Sequence, residues 1–155
     1  MKTILIATDF SHSARNAAVY GAKLAEALEA KVVLLNVFQS VTPSVDTAIM
    51  ITDQEMRKEA MERLTEELNW LSSNFDGVQM EKRIEQGLPG HKIGLVAKQT
   101  NASWIIAGMR GGSKFVRSMF GSVALSLSRH TPVPLILVPG QASFKCPKKS
   151  PWQAT

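Results

Sequence analysis

Five short apolar runs, separated by stretches of helical periodicity and turn residues, point to an α/β protein in which a parallel sheet carries helices on both faces. Size and composition agree with this. The chain has 155 residues, suited to a single domain, and 45% of them are hydrophobic against 20% charged, which is globular composition. A domain of this length buries roughly 70% of the surface its unfolded chain exposes, so a core alone can hold it. Cys146 is the only cysteine, so neither an internal disulfide nor a paired-cysteine zinc site is expected.

Thr3 to Ala7 reads Thr-Ile-Leu-Ile-Ala, a nearly unbroken apolar run of the kind that forms a strand buried on both faces. Thr8 to Ser11 supplies the following turn, with Ser11 or Ser13 available to cap a helix. Ala14, Ala17, Gly21, Leu24 and Leu28 then recur at helical spacing, giving a small-residue face that can approach a sheet closely. Val32 to Val37 is the second strand. Phe38 to Thr52 contains Pro43, has no firm period and reads as a loop. From Asp53 onward Met56, Ala60, Leu64, Leu68, Leu71 and Phe75 form one apolar helical stripe. The opposite face, with Arg57, Lys58, Glu62, Arg63, Glu66 and Glu67, reads as solvated.

Val78 to Ile84 alternates apolar with polar residues, as a half-exposed edge strand would. A turn at Gly87 to Gly90 precedes a short helix bearing Ile93, Val96 and Ala97. Trp104 to Ala107 is the fourth strand, Gly108 to Phe120 a glycine-rich stretch, and Val123, Ala124 and Leu127 begin another helix. Pro134 to Val138 is the fifth strand. This makes residues 1–139 one domain and leaves 140–155 as a basic tail of low apolar content, expected to be poorly ordered.

Three lysines of that tail, Lys145, Lys148 and Lys149, account for much of the net charge of +5. The remainder is nearly balanced, which argues against a dedicated nucleic-acid surface. No apolar run approaches the roughly 18 residues of a membrane span. The opening run is too short for a signal peptide, so a soluble, cytoplasmic protein with no membrane partner is expected. None of His12, His91 and His130 has a neighbour at metal-ligand spacing, so no metal site is expected. Trp70 and Trp104 read as packing residues.

In an open parallel sheet, ligands bind beyond the carboxyl ends of the strands, where the strand order reverses. Thr8-Asp9, Val37 and the stretch from Gly108 all fall at such ends. Gly108, Met109, Arg110 and Gly111 are followed by nine residues and then by Gly121, Ser122 and Val123, which open a helix. Glycines without a Cβ let main-chain N–H groups close on phosphate oxygens, and a helix N-terminus adds unpaired donors and a favourable dipole. Ser122 could donate its hydroxyl to the same anion, and Arg110, Lys114 and Arg117 could neutralise a polyphosphate. Spacing alone leaves a purely structural turn equally open, just as Asp9 could simply bond N–H groups at the first helix. The pattern G-x-x-x-x-G-K-[ST] and the fingerprint G-x-G-x-x-G are both absent.

The glycine spacing, taken with Ile-Leu-Ile-Ala-Thr-Asp-Phe-Ser at the start, Leu-Leu-Asn-Val at the second strand and Arg129-His130-Thr131-Pro132-Val133-Pro134, resembles the ATP-binding type of the universal stress protein family. The likeness runs from Met1 to Pro139. It implies a sheet in the order 3-2-1-4-5 and a homodimer paired through the last strand, Pro134 to Val138. It further implies ATP or AMP as ligand, with any magnesium ion held through the phosphates. Asp9 matches the family aspartate near ribose and adenine, Ala7 and Thr8 line the same turn, and Val37 matches the residue whose backbone meets the adenine edge. Gly108, Arg110 and Gly111 match the start of the phosphate loop, and Gly121, Ser122 and Val123 its closure. Asn36 and Ser103 depart from the histidine and aspartate that many relatives carry. The resemblance favours a nucleotide-binding protein of stress response or regulation, with slow ATP hydrolysis, or an interaction module without nucleotide, as alternatives.

Overall fold

The computed structural model describes residues 1–40, 51–109 and 121–145. In chain order the elements are β1 (Thr3–Ala7), α1 (His12–Leu28), β2 (Lys31–Phe38), α2 (Asp53–Asn74), β3 (Met80–Gln86), α3 (Pro89–Gln99), β4 (Trp104–Gly108), α4 (Ser122–His130) and β5 (Leu135–Val138). The strands form one parallel sheet in the order β3-β2-β1-β4-β5, so the open doubly wound architecture and its strand order are as expected. The order reverses between β1 and β4. No helix among the described residues is long and apolar enough to cross a membrane.

Every residue of β1 is buried, because it lies at the centre with helices above and below. Side chains alternate across the sheet. Ile4, Ile6, Val32 and Leu34 join the core beneath α1 and α2, whereas Leu5, Ala7, Val33 and Leu35 join the core beneath α3 and α4. The small face of α1 allows a close seat. A Cβ placed on Gly21 would lie 2.6 Å from Cδ1 of Ile6, a side chain with no exposure.

Ser11 is the cap that α1 uses, its hydroxyl accepting the Ala14 N–H at 3.1 Å. Ser11→Ala is therefore expected to lower stability by about 0.5–2 kcal/mol, measurable as a shifted urea midpoint at unchanged slope. At α2, Thr52 and Glu55 form a reciprocal capping box, which stops the preceding loop at Thr52.

Three expectations need correction. β3 begins at Met80, two residues later than the alternation suggested, because Phe75 to Val78 closes a turn through the Val78 N–H and the Phe75 carbonyl, burying Val78 there. Trp70 is exposed on α2, where the Arg15 guanidinium lies 4.0 Å from its ring centroid, so it packs against a cation and outside the core. The start of the tail is held down as far as Phe144, while its residues 146–155 lie outside the described residues. Asn16 on α1 donates to the carbonyls of Pro139 (3.0 Å) and Ala142 (2.9 Å), and Phe144 meets Tyr20 edge-to-face at 5.2 Å.

Candidate functional site

A cleft open to solvent on one side lies at the carboxyl ends of β1 and β4, where the strand order reverses. Of the residues expected there, Ala7, Thr8, Asp9, Val37, Gly108 and Val123 line it. Leu35, Ala107, Ala14 of α1, and Pro89 and Ile93 of α3 complete an apolar wall. The latter five were passed over as core or turn residues, since nothing in their chemistry distinguishes a cleft wall from a core. Asp9 is the only carboxylate lining the cleft among the described residues.

Met109, Gly121 and Ser122 adjoin the cleft through Gly108 and Val123 without lining it. The Met109 N–H donates to the Val138 carbonyl at 3.1 Å, and the Gly121 N–H donates to the Met109 carbonyl. The beginning and the end of the glycine-rich stretch are thereby tied together at its base. Arg110, Gly111, Lys114 and Arg117 lie outside the described residues. Ser122 is the first residue of α4 and is exposed; its N-cap, Gly121, provides no side-chain cap. The first amides of α4 therefore gain no bond from a capping side chain.

Asp9 accepts the Ser11 N–H through Oδ1 at 2.9 Å, so the bland role is realised, while the residue is exposed at the cleft wall. Thr8 is 5% exposed and each of its polar groups has a partner. Its N–H donates to the Leu35 carbonyl at 2.9 Å, and its carbonyl accepts from Asn36 Nδ2 at 2.9 Å. Its hydroxyl donates to Glu67 Oε1 at 3.1 Å and accepts the Phe10 N–H at 3.1 Å. That last bond supports Phe10 in the left-handed region, at φ 65°, an uncommon conformation for a bulky side chain.

Glu67 corrects the reading of the polar face of α2 as solvated. It is half-buried in a polar pocket with Phe10, Arg15, Arg63 and Glu66, on the α1 and α2 side of the sheet. Burial pushes its carboxyl above the ordinary value of 4.5, an effect opposed by the Thr8 hydroxyl, Arg15 and Arg63 and reinforced by Asp9. An acid with a raised value in the folded state costs stability as pH rises, because the unfolded chain sheds its proton first. Glu67→Gln, which keeps an acceptor for Thr8, is expected to gain stability relative to wild type from pH 4.5 toward neutrality. Denaturant midpoints of both proteins across that range test this, and a constant difference would refute it.

The family model that matches this chain, the universal stress protein family, spans residues 1–139. The chain belongs to the universal stress protein family. A Staphylococcus aureus (strain USA300) chain named for the same family is 32% identical over 138 residues, covering 88% of this chain and 83% of that one. Among solved structures, a universal stress protein in complex with cAMP superposes with a TM-score of 0.70 at 18% identity, over 90% of this chain and 98% of that one. The Archaeoglobus fulgidus universal stress protein in complex with dAMP gives 0.66 at 21% identity, over 89% and 97%. At such identities these structures speak for the fold, the same five-stranded parallel sheet of this universal stress protein.

Proposed function

We propose that this universal stress protein binds an adenine nucleotide, ATP or AMP, in the cleft between β1 and β4 and acts as a regulatory protein of the stress response. The observation that carries the reading is the bond between Gly121 and Met109, which brings both ends of the glycine-rich stretch to the mouth of an apolar cleft. An adenine ring is flat and apolar on its faces, and Leu35, Val37, Pro89 and Ile93 offer a matching wall. Asp9 stands on the ribose side. The phosphates then meet Gly108, the uncapped start of α4 at Gly121 and Ser122, and, by the family pattern, Arg110 and Gly111, with Lys114 and Arg117 as further cations of the same stretch to neutralise them. A magnesium ion would arrive on those phosphates. That family members with this fold have been solved with cAMP and with dAMP supports an adenylate ligand.

Binding is favoured over turnover because Asp9, the one acid that lines the cleft among the described residues, already accepts the Ser11 N–H. Hydrolysis needs a group free to orient water. β5, at the sheet edge opposite β3, carries the half-buried Leu135, Ile136 and Leu137, and we place the homodimer contact there.

Two measurements test the reading. Protein purified rapidly from cells and then denatured is expected to release an adenine nucleotide identifiable by mass spectrometry, and ATP or AMP titrated into the emptied protein is expected to give a saturable calorimetric isotherm. Absence of both would reject it.

A further inference from the structure

We infer that Glu67 on α2 is a positioning residue for the ligand cleft on the other face of the sheet: through the Thr8 hydroxyl it fixes the turn that presents Asp9. The inference rests on the nucleotide-binding reading above.

A carboxylate can only accept hydrogen bonds. While Glu67 is ionised, the Thr8 hydroxyl must give its proton to Oε1, which leaves an oxygen lone pair for the Phe10 N–H. Asp9 lies between those two bonded residues, so the turn that carries the cleft's acid is pinned from the far side of the sheet. A protonated Glu67 is itself a donor, and the hydroxyl is then released to turn away from Phe10. Phe10 holds a positive φ, so the turn has a conformation to relax from once that bond weakens. Asn36 bonds the Thr8 carbonyl through Nδ2 and makes no bond to its hydroxyl.

The charged groups around Glu67 come from each neighbouring element. Asp9 stands on the turn, Arg15 on α1, and Arg63 and Glu66 on α2. Lys82 on β3 is directed to Thr65. Arg15 and Arg63 are stacked on Trp70 and Phe10, and neither forms an ion pair with a carboxylate among the described residues. The Thr8 hydroxyl is therefore the direct bond through which the state of Glu67 reaches the turn.

The experiment has two arms. In the free protein, the Phe10 amide resonance is expected to titrate with a midpoint above the usual carboxylate range and to lose that transition in Glu67→Gln. In the second arm, ATP affinity of wild type is divided by that of Glu67→Leu at each pH, which cancels the ligand's own titration. That ratio is expected to be roughly tenfold where Glu67 is ionised and to fall as the pH is lowered and the carboxyl takes up its proton. Glu67→Gln, neutral at every pH and, like the protonated acid, a donor as well as an acceptor, is expected to show an affinity ratio to Glu67→Leu that does not change with pH. A Phe10 transition that persists in Glu67→Gln, or a wild-type ratio independent of pH, overturns the inference. If ATP does not bind at all, the nucleotide reading fails by itself, and the resonance arm still decides whether Glu67 controls the turn. If Glu67→Leu does not fold, the same arm decides with Glu67→Gln.

Discussion

Replacing Ser122 with alanine is expected to weaken ATP binding by roughly ten- to a hundredfold, the equivalent of one hydrogen bond to a charged phosphate, worth about 1.5–3 kcal/mol. Ser122 opens α4 beside Gly121, whose lack of a side-chain cap leaves the adjoining amides without a competing internal acceptor. Gly121→Val should bind more weakly still. Its backbone, at φ −68° and ψ 161°, accepts any residue, so the loss would come from bulk at the phosphate position and leave the backbone unstrained. Ser128→Ala is the control, since that hydroxyl caps the Leu125 carbonyl farther along the same helix. Calorimetric titration of ATP into all three variants measures the difference. Equal affinity for wild type and Ser122→Ala would remove Ser122 from the site.

Gly108→Val is expected to destabilise the protein by about 1–3 kcal/mol and to disturb the cleft with it. A Cβ at Gly108 would stand 2.7 Å from the Ser13 Oγ and 3.0 Å from the Ser13 carbonyl carbon and oxygen. The Ser13 hydroxyl could turn aside, but the carbonyl carbon and oxygen are main-chain atoms in the first turn of α1. That turn cannot retreat without lifting Ala17 and Gly21 from their seat on the sheet. Gly77→Ala provides the comparison, as nothing lies within 4 Å of its added Cβ. Urea unfolding of both variants is the measurement. A Gly108→Val midpoint no lower than that of Gly77→Ala would show that α1 and β4 have more freedom than this packing allows.

Much of the fold was legible because burial leaves a local trace. A strand covered on both faces must be apolar nearly throughout, as Thr3–Ala7 is, and a helix seated on a sheet must carry small residues at helical spacing, as α1 does. Boundaries were less legible. The start of β3 depends on where the chain leaves α2, and the turn from Phe75 to Val78 is apolar enough to pass for strand. The hold on the first residues of the tail was illegible for a related reason: Asn16 and Tyr20 reach Pro139, Ala142 and Phe144 from more than a hundred residues away in sequence, and low apolar content cannot reveal such partners.

The same distinction runs through the cleft. Motif spacing by itself determined that Thr8-Asp9, Val37, Gly108 and the start of α4 should meet, because a parallel α/β chain delivers every strand's carboxyl end to one edge. Only the tertiary structure decided what closes around them. Pro89 and Ile93 became cleft wall because α3 packs beside β2, and Glu67 became the partner of Thr8 because α2, seated over β2 and β3, reaches the turn that follows β1. The hydrogen bond between Glu67 and Thr8 spans 59 positions of sequence. A periodicity records which face of a helix is apolar; it holds no record of which single polar side chain on the other face will be brought to a buried hydroxyl.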